Sequence, residues 1–549
     1  MSPLSPLQRL WRLVKSEQAD IRNIYIFSLF QGLINLSLPL GIQAIINLLQ
    51  AGELRASWIM LVIFVVAGIF LNGYLQLRQM TITESIEQRL FVNASFDFAY
   101  RLPRASFDSV KSKYFPEVMN RFFEIMTIQK GISKLLLDFS TAAIQVLFGL
   151  LLLSFYHPLF ILLGLILVIL IAAIFRLTGK EGLNSSLEES KHKFAVAHWL
   201  EELSRAFTTF KLSGITSMPL EQTDLHTAQY LDARKRHFSV LVIQYKVLVL
   251  FKILLAASLI IAGSVLVING QINIGQFVAA EIVILMIIGS VEKIILNMST
   301  VYDVLTALDK VGSITDIQLE REGGIDIRET LIQPGVHVKI SDLSYTFSDA
   351  NAPVIRNFHM EAKPGERICI AGANGTGKTL LMKLLTGYFA GYTGSITING
   401  LPLENIDLTT LREITGENFA DQGVFKGTVV DNITCGRKHI DINEVMLAAR
   451  LVFLHDSITM MPEGYHTLID PEGKTLSGGM LRKLVLARCL VGNPSLLLME
   501  DNLQAIVPEE RILILNNIIQ HFSESTIIII SNNPTVQQLT NRTITMVKV

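Results

Sequence analysis

Six apolar runs, each long enough to cross a bilayer as a helix, constrain this chain more than any other feature. They fall at residues 24–49, 57–77, 135–156, 158–176, 245–269 and 276–297. About 20 residues of helix span the hydrocarbon core, and a lone segment there can satisfy its backbone only by coiling into a helix. Composition agrees: 50% of the 549 residues are hydrophobic and 17% charged, against about 25% charged in soluble domains. The expected product is an integral multi-pass membrane protein whose first partner is the lipid bilayer.

The first run is interrupted by Gln31, Asn35, Ser37, Pro39 and Gln43. Polar groups at that depth face a bundle interior or a substrate path, so this helix is expected to line the bundle. It is too long for a signal-peptide core and lacks a small-residue cleavage site, which makes it a span. Gln31, Asn35, Gln43, Asn72, Gln76, Gln145 and Glu281 would line a path or pack helices together, Glu281 being the ionisable member.

Orientation follows from the connections. Those near 51–57, 156–158 and 269–274 are short, and their fixed charges are Glu53 and Arg55. The segments 78–134 and 177–244 are long and carry Arg78, Arg89, Arg101, Arg104, Lys111, Lys113, Arg121, Lys180, Lys191 and Lys193. The positive-inside rule puts these segments and both termini in the cytoplasm. Sparse Gly and Pro predict helices running on out of the membrane, as does the apolar spacing of Leu200, Leu203, Phe207 and Phe210, with Pro103 and Gly214 as turning points.

A net charge of −1 gives no global attraction for nucleic acid, and no nucleic-acid-binding motif is present. Cys369, Cys435 and Cys489 lack metal-ligand or CxxC spacing and read as reduced, mostly buried thiols of a cytosolic half. After Leu296 the chain turns polar. From Val336 short β-branched runs alternate with helical segments, the pattern of an α/β domain. The expected division is a membrane domain at 1–315, a linker at 316–335 and an α/β domain at 336–549.

Within that second half, Gly372, Gly377, Lys378 and Thr379 fill the pattern G-x-x-x-x-G-K-[ST] between an apolar strand, Arg367 to Ala371, and a helix, Thr379 to Thr386. Strand, loop and helix together make a phosphate-binding loop rather than an incidental glycine-rich turn. Backbone N–H groups of Gly372, Asn374, Gly375, Thr376 and Gly377 would point at phosphates. Lys378 would sit on the β- and γ-phosphates of ATP, and the Thr379 hydroxyl would ligate Mg²⁺.

Further motifs follow in a fixed order: Leu476-Ser477-Gly478-Gly479-Met480, then Asn493-Pro494 and the strand Ser495 to Met499 ending in Glu500-Asp501, then the apolar strand Thr526 to Ile530. With this order the chain resembles an ABC exporter half-transporter, whose signature reads LSGGQ. The resemblance covers nearly the whole chain. Val424 to Ile433 resembles the segment after the Q-loop, and Leu102 to Asp108, Asn120-Arg121 and Thr208 to Gly214 resemble the cytoplasmic docking loops. The fold implied is an all-α membrane domain of six transmembrane helices followed by an α/β P-loop nucleotide-binding domain. By the same resemblance Phe347 would stack on adenine, its other reading being a core phenylalanine at a strand end. Ser477, Gly478 and Gly479 would cup the γ-phosphate of a second chain's ATP.

Four places depart from the family's pattern. Counting from Pro494, the metal-organising position is Glu500 and the catalytic position Asp501, a swapped pair. A slipped register would instead put Glu500 inside the strand and Asn502 at the catalytic place. Asn532 replaces the switch histidine and carries no positive charge. Ala420 stands at the Q-loop glutamine, with Gln422 two residues on, and Gln504 to Val507 replaces the usual SALD. The family's C-terminal tail is also absent after Val549, and about 20 residues before the first span are too few for the peptidase domain of some relatives. The resemblance implies an exporter subunit of a bacterial inner membrane that binds ATP with Mg²⁺, hydrolyses slowly at its own site and pairs with a second half-transporter. Its substrate would be a peptide or protein, a lipid or an amphiphile. The alternatives are a sluggish homodimer and a non-transporting, ATP-gated regulator.

Overall fold

The computed structural model describes residues 4–50, 56–111, 115–347, 349–350, 352–471 and 473–548, except the side chains of residues 115 and 116. Glu53, Arg55 and Lys113 lie outside the described residues. The chain divides into two compact units, one of Met1–Ala105 with Ser109–Leu319, the other of Glu320–Val549 with Ser106–Asp108.

The first unit is helical. Six of its described segments are long and apolar enough to cross a membrane: Gln18–Gln50, Ala56–Arg104, Glu117–Tyr156, Leu159–Arg205, Met218–Ile268 and Ile274–Thr315. Each overlaps one of the six apolar runs and extends beyond it. The longest, Met218–Ile268, has 51 residues, about 75 Å of helix against a hydrocarbon core of about 30 Å. Hydropathy falls beyond the membrane boundary, but the helix continues because little there breaks it. Breaks come where the backbone demands them. Ala56–Arg101 ends in a 3₁₀ turn containing Pro103, and Gly214 takes φ +82° after Phe207–Leu212. Asn273 starts the last span with a capping box, accepting from Gln276 N–H at 2.7 Å and donating back to its side chain at 2.9 Å.

Several polar groups of this unit bind helices to one another. Tyr156 donates to Gln43 Oε1 at 2.5 Å, Ser290 to Gln145 Oε1 at 2.9 Å, and Gln79 to Ser28 Oγ at 2.9 Å. Gln43 and Gln145 therefore serve packing. Gln76 and Glu281 are exposed on this chain. Lys252 Nζ lies 2.5 Å from Glu292, an ion pair inside two of the apolar runs. Small residues permit the closest approaches. A Cβ on Gly182 would stand 2.3 Å from the Tyr302 ring, and one on Gly131 2.2 Å from Val304.

The second unit holds two sheets. Strand Val338–Tyr345 pairs antiparallel with Ile355–Ala362 and with Thr393–Ile398, which also carries Leu401–Pro402. A parallel sheet of five strands runs in the order Arg542–Thr545, Arg367–Ala371, Thr526–Ile530, Leu496–Glu500, Thr415–Asn418. Its middle strands are buried on both faces, as parallel strands are: Thr526–Ile530 and Leu496–Glu500 are buried at every residue. Order is not sequential, and loops from the strands' carboxyl ends open a crevice where the connections diverge, the usual ligand position in open α/β sheets.

Candidate functional site

Parallel register brings the site together. Ile530 pairs with both Ile370 and Glu500, so Ala371, Glu500 and Ser531 emerge at one end of the sheet. There the second unit has a cavity of about 840 Å³ lined by Phe347, Asn374, Gly375, Gly377, Lys378, Thr379, Ala420, Glu500, Asp501, Arg511, Ser531 and Asn532 among others.

Glycine fixes the loop's path. Gly372, Gly375 and Gly377 have φ of +147°, +82° and +88°, values that cost most L residues energy. Space is also short at two of them. A Cβ on Gly372 would meet Met546 O at 2.4 Å, and one on Gly377 would meet Ile355 Cγ1 at 2.9 Å. Thr376 is buried and ties the turn, donating to Ala373 O at 3.0 Å. The helix that follows is Lys378–Leu385, one residue earlier than its sequence reading at both ends.

Lys378 Nζ donates to Gly372 O at 2.7 Å and Ala373 O at 2.8 Å, folding over its own loop. Burial lowers the pKa of this ammonium, and Glu500 opposes that. Thr379 Oγ1 donates to Glu500 Oε1, while Glu500 Oε2 accepts from the Ala420 N–H at 2.8 Å. The strand runs Leu496–Glu500, so Glu500 is its last residue and is buried. A hydroxyl and a carboxylate in contact form a hard oxygen donor set of the kind Mg²⁺ takes. Those residues fit a magnesium nucleotide: Thr379 and Glu500 would hold Mg²⁺, which would supply positive charge against phosphate.

Asp501 does something else. Its Oδ2 accepts from Arg511 Nη2 and, at 2.6 Å, from Ser531 Oγ, while its Oδ1 is buried without a partner among the described residues. Neither Arg511 nor Ser531 was singled out in the sequence. The one lies 10 residues beyond Asp501 and the other 30, and a basic residue near the start of a helix carried no signal. Asn532 is closed on the loop, accepting from Gly372 N–H at 2.9 Å and donating to Gly372 O at 3.0 Å. Gln422 accepts from Phe419 N–H at 3.3 Å and does not line the cavity, whereas Ala420 does. Phe347 is half-buried, its ring edge-on to Tyr345 at 5.2 Å and Phe389 at 5.9 Å, and still borders the cavity.

The signature segment stands elsewhere. Ser477 caps the helix Gly478–Leu490, accepting from Met480 N–H at 3.2 Å, and Ser477 and Gly478 are exposed. None of Ser477, Gly478 and Gly479 lines the cavity. Of the cysteines, Cys369 and Cys489 are buried, but Cys435 is exposed, in the left-handed conformation at a helix end.

Two family models match, one described as ABC transporter transmembrane region over residues 21–291 and one as ABC transporter over residues 355–503. Similar proteins include the alpha-hemolysin translocation ATP-binding protein HlyB of Escherichia coli O157:H7, 26% identical over 348 residues, 63% of this chain and 49% of that protein. The exotoxin translocation ATP-binding protein PaxB of Pasteurella aerogenes is 27% identical over 351 residues, again 49% of its length. The chain thus matches about half the length of these curated relatives. Among solved structures, a bacterial Atm1-family ABC exporter with ATP bound superposes with a TM-score of 0.83 at 18% identity, over 96% of this chain and 93% of that one.

Proposed function

This chain belongs to the ABC transporter family, with a transmembrane region and an ABC transporter domain in one chain, and we propose that it is an exporter-type half-transporter, the ATP-holding subunit of a composite export machine. It binds ATP with Mg²⁺ through Lys378, Thr379, Glu500 and the loop glycines. It turns that nucleotide over slowly and lends Ser477, Gly478 and Gly479 to the site of a second half-transporter with competent catalytic residues. The machine lies in a bacterial inner membrane with its nucleotide-binding domains and termini in the cytoplasm. It moves a peptide or protein, a lipid or an amphiphile outward.

One observation supports this reading: Lys378, Thr379 and Glu500 line one cavity, while the positions that would act on water hold Ala420, an Asn532 closed on Gly372 and an Asp501 already engaged. Phosphate transfer depends on positioning, and a displacement on the order of 1 Å can cost about a hundredfold. Aspartate at 501 is one methylene shorter than glutamate and is turned to Arg511 and Ser531. Binding and hydrolysis thus rest on separable residues.

Purified full-length chain in lipid nanodiscs tests this. Saturable ATP binding with turnover well under the usual enzymatic range of about 1–10³ s⁻¹ is the expected outcome. Turnover within that range by the chain alone, abolished by Asp501→Asn, would overturn the reading.

A further inference from the structure

We propose that Arg511 is a positioning residue that holds Asp501 out of the hydrolytic geometry, so that the slow site is restrained by an ion pair as well as by its missing groups. The inference rests on the reading of a slow nucleotide site given above and names the side chain that governs it.

Four observations on one wall of the cavity carry it. Asp501 and Arg511 both line the cavity, yet their side chains are only 9% and 14% exposed and they face each other. Ser531 Oγ donates to the same oxygen, Oδ2, at 2.6 Å, so that oxygen is engaged from two directions. Oδ1 is buried with no partner among the described residues, and Arg511 Nε is likewise buried without one. A carboxylate with a charged donor and a hydroxyl donor on one oxygen is fixed in direction. Gln504, which donates to Asp501 O at 2.8 Å, holds the backbone of the same residue.

The chemistry withheld is the positioning of water. For hydrolysis, a carboxylate at this place orients the attacking water and receives its proton. The water oxygen bonds to the γ-phosphorus as the bond from that phosphorus to the bridging oxygen breaks. ADP then leaves, and inorganic phosphate carries the new hydroxyl. A general base in position contributes about 10²–10⁴-fold. Release of Asp501 recovers only part of that, since the side chain stays short and Ala420 and Asn532 stay as they are.

Arg511→Gln in the full-length chain in nanodiscs tests the assignment through kcat, KM and the ATP-induced shift in melting temperature. We expect kcat to rise about tenfold, KM and the ATP-induced melting shift to stay as in wild type, and Asp501→Asn to cancel the gain. Arg511→Lys, which keeps the charge, should keep the rate near wild type. Ser531→Ala removes the second contact and should raise kcat by a smaller factor. It carries the same test if Arg511→Gln does not melt cooperatively. An unchanged or lower kcat overturns the assignment, as does a gain that survives Asp501→Asn. A melting shift that changes in step with the rate also overturns it, because Arg511 would then act through nucleotide binding. Fast turnover by the wild-type chain would instead strike at the slow-site reading, and the two failures remain distinct.

Discussion

At the residue scale, the loop between Ala371 and Lys378 shows how far a backbone can be specified by the absence of side chains. Gly375 and Gly377 share a left-handed conformation, with φ of +82° and +88°, but only Gly377 is crowded, by Ile355 and Val354. Left-handed φ costs most L residues about 1–2 kcal/mol, and a crowded Cβ adds to it. Gly377→Ala should therefore lower the melting temperature of the second unit and weaken ATP binding at least about tenfold, while Gly375→Ala bears the conformational cost alone and loses less. Differential scanning calorimetry and equilibrium nucleotide binding on the two variants check this. Equal effects would mean that the packing against Ile355 does not shape the loop. This part of the site was legible from sequence because its residues are contiguous. Asp501 with Arg511 and Ser531 was not, because that cluster exists only after parallel strands set Glu500 beside Ile530. The order of the two carboxylates, Glu500 then Asp501, could be counted from Pro494. Where each one points could not, and the structure turns Glu500 to Thr379 and Asp501 to Arg511.

At the scale of elements, the strand Thr415–Asn418 carries an unexpected charge. It pairs with Leu496–Glu500 at the edge of the parallel sheet, and burial pushes the Glu417 carboxyl up to about 7. Arg412 and Lys383 pull it down, but each is spent elsewhere. Arg412 grips Glu320 at 2.7 and 2.8 Å, and Lys383 pairs with Asp421 at 2.5 Å. The sign follows from linkage. Between an unfolded value near 4.5 and the folded value near 7, the native state binds more protons than the unfolded one, so stability falls as pH rises through that window. The melting temperature of the second unit should drop between about pH 5 and pH 7, and Glu417→Gln should flatten that slope. An unaltered slope in the variant would place the titration elsewhere. Elements themselves were legible to differing degrees. Apolar runs marked the spans, because lipid tolerates little else, but not how far the helices continue, since a solvated helix needs only the absence of breakers. The strand Thr526–Ile530 was read to the residue, being β-branched and buried on both faces. Packing roles were less legible. Glu281, read as the ionisable member of the intramembrane set, is exposed, while Lys252 and Glu292 neutralise each other in the bundle.

At the scale of the whole molecule, the nucleotide cavity of the second unit is lined by no signature residue, and the signature's Ser477 and Gly478 are exposed. A segment that caps a helix and presents a bare glycine backbone to solvent can bind phosphate, but among the described residues it stands outside the cavity lining. The proposed remedy is a second chain, and Gly478 offers a way to test it without harming the fold. A Cβ there would come no closer than 3.8 Å to Ala505 Cβ, ordinary contact. Gly478→Asp should therefore leave melting and the chain's own ATP binding unchanged while placing a negative charge where a facing γ-phosphate would lie. In a complex with a competent half-transporter, ATP turnover should fall about a hundredfold, the scale of losing one preorganised donor. Lys378→Ala in the same complex removes this chain's own phosphate contact and should weaken nucleotide binding at one site while leaving most of the turnover. The pair of variants separates the arrangements. A large loss with Gly478→Asp and a small one with Lys378→Ala is the signature of an asymmetric pair whose hydrolysis occurs on the partner's loop. Equal losses belong to a symmetric pair of identical chains, and unchanged turnover with Gly478→Asp would mean that the signature of this chain faces no nucleotide at all.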